Sequence, residues 1–96
     1  MKLFINPGIR TKLAMKHRVT EEEILQCFAN RCGPMLIDDR EEHRTSPPTQ
    51  WFIAETDYGR KVKVCFVLDN GIVEIKTAFT PSAEALAFYQ RKRSQS

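Results

Sequence analysis

Two features of this 96-residue chain could do chemistry: lysines at alternate positions of apolar segments, and a histidine at a helix end. Lys61 and Lys63 alternate with Val62 and Val64, and Lys76 follows Ile75, a period that sends ammonium groups to one side of a sheet. Two-residue loops at Tyr58-Gly59 and Asn70-Gly71 would set Val62, Val64 and Phe66 opposite Glu55, Ile53 and Trp51 on one flank. On the other flank the same residues would face Phe79, Thr77 and Ile75, completing a core face. The reverse face then collects Lys61, Lys63, Cys65 and Val67, with Phe52, Ala54 and Thr56 on one side and Glu74, Lys76 and Ala78 on the other. Cations around an aromatic ring suit a polynucleotide, whose phosphates need charge and whose bases stack. The competing explanation is that lysines keep an uncovered antiparallel face soluble.

His17 could move a proton, since the reference pKa of histidine lies near neutrality, although the helix dipole alone explains such a residue at a helix C-terminus more simply. His43 belongs to a polar loop and reads as an exposed side chain. Arg91-Lys92-Arg93 complements the end of the last helix and also suits phosphate. No metal site is expected, because Cys27 and Cys32 are too far apart for a knuckle and no histidine pair completes a set. Cys27 reads as core, and Cys65 has no patterned base beside it. Phosphate loops and the signatures of zinc proteases, serine hydrolases and kinases are absent, and no cofactor is expected.

Elements that position these residues are legible in the caps. Asn6 and Pro7 open a helix to about His17, and Thr20 with Glu23 opens a second helix through a capping box. Ile24, Leu25 and Phe28 form its apolar stripe, and Gly33-Pro34 ends it. Met35–Ile37 reads as a short strand and residues 38–49, with Pro47-Pro48, as a polar loop. Three strands follow, Trp51–Thr56, Arg60–Leu68 and Ile72–Phe79, the last two joined by Asn70-Gly71. Thr80 and Pro81 open a last helix that carries Tyr89 and gives way to a flexible basic tail, residues 91–96. The expected fold is α+β in a single domain, residues 1–96. An N-terminal helical hairpin precedes a three- to four-stranded antiparallel sheet and a C-terminal helix.

Composition agrees with a globular domain, at 42% hydrophobic and 28% charged residues. The net charge of +3 conceals a segregation. Residues 1–18 hold five bases and no acid, the middle of the chain is acidic, and residues 58–96 hold seven bases against three acids. Two basic segments favour a polyanion if folding brings them together. No apolar run spans a bilayer, so no membrane partner is expected. Three cysteines without a disulfide framework or a secretory leader point to the cytoplasm.

Lys16-His17-Arg18-Val19-Thr20 with Glu22 resembles the Lys-His-Gly-Val-Ser/Thr opening of BrnT-type toxins, in the RelE/ParE-like superfamily of bacterial toxin–antitoxin systems. Gly59-Arg60-Lys61-Val62-Lys63-Val64 is similar to that family's Gly-Arg strand, and Ile75-Lys76-Thr77-Ala78 to its Ile-x-Ser-Ala strand end. Tyr89 falls where the family has a tyrosine in its last helix. The likeness runs from about Lys12 to Tyr89. The chain departs from the pattern at Arg18, in place of glycine, and at Phe79-Thr80, in place of arginine. The resemblance implies a RelE-like fold and a metal-independent endoribonuclease neutralised by an antitoxin protein. Lys63, Lys76 and Arg60 would then be cations around the phosphorane, and His17 or Lys16 would handle a proton. Lys61, Phe52 and Arg91 would complete the RNA contact. The alternative is a non-catalytic interaction module on the same fold, using the Met35–Ile37 edge or the Pro47-Pro48 loop. A second copy of the chain is a further candidate partner.

Overall fold

A computed structural model describes residues 2–38 and 46–95. His43, with residues 39–45 of the polar loop, therefore lies outside the described residues. In chain order the elements are β1 (Lys2–Phe4), α1 (Pro7–Lys12) running into a π-helical turn (Leu13–His17), and α2 (Glu21–Asn30). They continue with β2 (Leu36–Ile37), β3 (Thr49–Glu55), β4 (Lys61–Asp69), β5 (Ile72–Phe79) and α3 (Ala83–Ser94). The fold is α+β, with strand order β1-β5-β4-β3-β2. The four C-terminal strands pair antiparallel as expected, and β1 adds a fifth strand by pairing parallel to β5.

Local chemistry sets the helix ends. The Asn6 side chain accepts from the Gly8 amide at 2.9 Å, and Pro7 opens α1. At α2 the Thr20 amide donates to Glu23 at 3.0 Å and the Glu23 amide to the Thr20 hydroxyl at 3.1 Å, the expected capping box. Between the two helices Arg18 adopts φ 53° and ψ 47°, left-handed backbone that glycine usually supplies. Ser82, rather than Thr80, caps α3, its hydroxyl accepting from Ala85 at 3.1 Å. Helix α3 continues to Ser94, so Arg91, Lys92 and Arg93 are helical residues rather than a flexible tail.

The Asn70-Gly71 hairpin forms as expected, both residues at positive φ. The turn before it differs. Its loop has three residues, Asp57-Tyr58-Gly59, closed by the Thr56 amide donating to the Arg60 carbonyl at 2.9 Å. Gly59 supplies the left-handed residue, at φ 83°. One extra loop residue shifts β3 by one, so Phe52 faces Val64 and Ala54 faces Val62, while Trp51 faces Cys65 and Ile53 faces Lys63. Every β3 side chain thus sits on the face opposite to the one expected. On β5 the expected register holds from Ile72 to Ile75 and then breaks at a bulge opposite Cys65/Phe66. Beyond it Cys65 faces Thr77, Val64 faces Ala78 and Lys63 faces Phe79.

The first face is the core. Phe52, Phe66, Ile24, Ile75, Val62, Val64 and Cys27 are its largest fully buried side chains. Phe28 of α2 meets Phe52 and Phe66 edge-on, at centroid distances of 4.8 and 5.5 Å. The second face is covered along β3 by α3, whose buried Tyr89 lies 5.7 Å from the Trp51 ring. The Tyr89 hydroxyl donates to the Pro34 carbonyl at 2.7 Å. Gly33 permits this approach, because a Cβ there would stand 2.6 Å from the hydroxyl oxygen. The sheet is therefore enclosed on both sides at β3, and the lysine face is not the open platform that the alternation suggested. Among the described residues no helix is long and apolar enough to cross a membrane.

Candidate functional site

Where α3 leaves the sheet it forms the wall of a groove of about 620 Å³. Leu36, Trp51 and Lys63 line it from the strands, and Phe88, Arg91 and Lys92 from the helix. Lys63, half-buried, holds its ammonium 4.4 Å from the Trp51 ring centroid and 5.8 Å from that of Phe79. Trp51 lies 6.1 Å from Phe88, and Phe88 carries Lys92 Nζ at 5.5 Å and the Arg91 guanidinium carbon at 5.8 Å. A pair of aromatic rings is therefore flanked by cations across the groove. The three cations have carboxylate neighbours, since Asp38 and Glu84 also line the site. The geometry suits an anionic ligand with flat apolar parts, whose phosphates meet Lys63, Arg91 and Lys92 while its rings lie against Trp51 and Phe88.

The residues expected to act together are separated by this fold. Phe52 is fully buried beneath the sheet and cannot touch a nucleic acid; Trp51 is the aromatic side chain of β3 on the lysine face. Lys76 lies at the bulge, exposed and ion-paired with Glu74 at 3.4 Å, and Thr77 and Phe79 take the positions facing Cys65 and Lys63. Lys63 and Lys76 do not share the register that would have set them diagonally across adjacent strands. Arg60 is committed to the fold: Nη1 donates to the Arg18 carbonyl at 2.7 Å and lies 3.2 Å from a Glu23 oxygen, and Nη2 donates to the His17 carbonyl at 3.1 Å. Lys61 is exposed and pairs with Glu55 in register, beside a smaller cleft of about 140 Å³ shared with Arg93.

Lys16 is exposed on the π-helical turn, and the His17 ring is half-buried, 5.6 Å from the Phe79 ring. Lys63 and His17 thus both contact Phe79. Among the described residues no group of three or more His, Cys, Asp or Glu side chains could hold a metal ion. Three groups whose titration is displaced, Cys27, Tyr89 and Glu23, lie outside the groove lining. Burial, reinforced by the negative charge of Glu23, pushes the Cys27 thiol up to about 11, which leaves it protonated and inert. Burial likewise raises Tyr89, which remains a neutral donor. For Glu23 burial acts upward, but the Thr20 amide and the Arg60 guanidinium outweigh it and hold the carboxyl below its usual range.

No protein-family model, curated protein or solved structure matches this chain. The sequence singled out Lys63, His17 and the Arg91-Lys92-Arg93 run but missed Trp51, Phe79 and Phe88 as site residues. A signal for the first was present: Asp-Tyr-Gly fits a three-residue hairpin loop with glycine last, and that loop length turns Trp51 toward Lys63. Phe88 carried none, because the charge-rich last helix has no strong apolar stripe to announce which side meets the sheet.

Proposed function

We propose that this chain is the toxin-like component of a type II toxin–antitoxin pair, a BrnT-type protein of RelE-like fold that binds RNA in the cytoplasm and is restrained by an antitoxin protein. The observation that carries the RNA reading is the Lys63 ammonium resting on Trp51 and facing Arg91 and Lys92 across an open groove. Single-stranded nucleic acid has the complementary chemistry, with phosphates for the cations and bases for the rings. The left-handed backbone of Arg18 lends the family likeness independent support, since the BrnT-like pattern has glycine there.

Metal-independent cleavage is the activity that the likeness adds. It needs a cation at the phosphorane, a role that Lys63 would take, and a proton carrier, a role that the likeness gives to His17, which lies across Phe79 from Lys63. Phe79 stands where the family pattern has arginine, so an aromatic contact replaces a charge. A non-catalytic interaction module is favoured by a different observation: Ile37 on β2 and Phe4 on β1 are 59% and 48% exposed at opposite edges of the sheet.

Inducible expression in bacteria separates the readings. Wild type should arrest growth with loss of bulk RNA, Lys63→Ala and Lys92→Ala should relieve both effects, and Lys76→Ala should not. Growth and RNA unaffected by the wild type would leave the interaction module as the better account.

A further inference from the structure

Beyond the groove, on the far side of Lys63, lie the Phe79 and His17 rings, and an internal clamp holds His17 in place. A helix end leaves its last carbonyls without partners in the helix. At the end of the π-helical turn those of His17 and Arg18 accept from the two terminal nitrogens of Arg60. Arg60 is itself fixed, because its backbone closes the β3–β4 hairpin against Thr56 and its guanidinium pairs with Glu23 of the α2 capping box. The helix end is thereby fastened to the start of β4. From there the His17 ring reaches Phe79, whose backbone faces Lys63 across the sheet. The path from His17 over Phe79 to Lys63, then over Trp51 and Phe88 to Lys92, sets a pair of rings before each cation, in steps of 4.4 to 6.1 Å.

We propose that a single strand is gripped on both sides of Lys63, with His17 as the polar contact of the outer arm and Arg60 as the positioning residue that sets His17 there. The inference rests on the RNA reading for the identity of its ligand. Its structural half, that Arg60 places His17 on Phe79, does not. A duplex is the poorer ligand, because its bases are stacked on one another and withheld from Phe79 and Trp51.

Nuclear magnetic resonance on the full chain tests both halves, with the indole signal of Trp51 reporting one arm and the His17 ring protons the other. A single tryptophan and only two histidines make both assignable, a His43→Ala variant settling the second. Without RNA, wild type should show a His17–Phe79 ring contact that Arg60→Ala abolishes and Arg60→Lys keeps in part. Circular dichroism verifies that each variant is folded, and Arg60→Lys serves if Arg60→Ala is not. With single-stranded oligoribonucleotides of increasing length, the shortest that bind should move Trp51, and longer ones should move Trp51 and His17 together. His17→Ala should weaken the longer oligonucleotides about fivefold and leave the shortest unchanged.

In folded Arg60→Ala the Trp51 response should persist while the His17 response disappears. A His17–Phe79 contact that survives in folded Arg60→Ala, or in Arg60→Lys at wild-type strength, overturns the clamp. RNA that moves Trp51 but never His17, at any length, overturns the second arm while leaving the RNA reading intact. No response to RNA at either probe defeats the RNA reading and, with it, the proposed ligand of both arms.

Discussion

Replacing Arg60 by alanine should cost stability rather than a ligand contact. The guanidinium donates to two helix-end carbonyls, at 2.7 and 3.1 Å, and approaches Glu23 at 3.2 Å. Hydrogen bonds to a charged group contribute about 1.5–3 kcal/mol each, and the lower end applies because the Arg60 side chain is a third exposed. The Glu23 pair, open to water, adds at most about 1 kcal/mol. The sum is about 3–4 kcal/mol. For a domain of this size that lowers the melting temperature by roughly 12–32 °C. Urea unfolding followed by circular dichroism measures the loss, and Arg60→Lys should recover part of it, since one ammonium cannot fork between both carbonyls. RNA affinity of the folded fraction for the shortest oligonucleotides should be unchanged. A loss of stability below about 1 kcal/mol, together with a collapse of that affinity, would refute the clamp and restore Arg60 as a phosphate ligand.

Arg18→Gly should stabilise the protein by about 0.5–1 kcal/mol. Left-handed backbone costs a side-chain-bearing residue about 1–2 kcal/mol, and the greater freedom of unfolded glycine returns part of the gain; chemical denaturation checks the sign. Tyr89→Phe should lose about 1 kcal/mol with its bond to Pro34, and Gly33→Ala should cost less in that background than in wild type. A double-mutant cycle measures that coupling. The folded-state pKa of Glu23 is depressed, so its stabilisation is present above the unfolded value and disappears as pH falls through the folded one. Stability measured below about pH 4.5 should therefore fall more steeply for wild type than for Glu23→Gln.

Much of the fold was legible because its signals are local. Asn6-Pro7, the Thr20/Glu23 box and Asn70-Gly71 each specify a backbone feature within four residues, and each is present where it was expected. The site was less legible because it depends on register, which accumulates over distance. One additional residue in the loop before Arg60 exchanged Phe52 for Trp51 on the lysine face, and one residue at the β5 bulge exchanged Lys76 for Thr77 and Phe79. A bulge has no strong sequence signature when the residues around it are compatible with either face, as Thr77 and Ala78 are. Arg60 shows a second limit. A basic side chain before a strand looks the same in sequence whether it meets phosphate or a helix end from residues 13–17.

Titrating the protein with single-stranded RNA while following the fluorescence of Trp51, its one tryptophan, tests the groove most directly. Trp51 fluorescence should change saturably and more for single strands than for a duplex of equal length. Three phosphate contacts, at Lys63, Arg91 and Lys92, predict that the logarithm of the affinity falls against the logarithm of salt with a slope of about −2. Lys63→Ala should make the slope shallower. Saturable RNA binding that leaves Trp51 unperturbed, or a slope that Lys63→Ala does not change, would place the RNA elsewhere on the molecule and contradict the account.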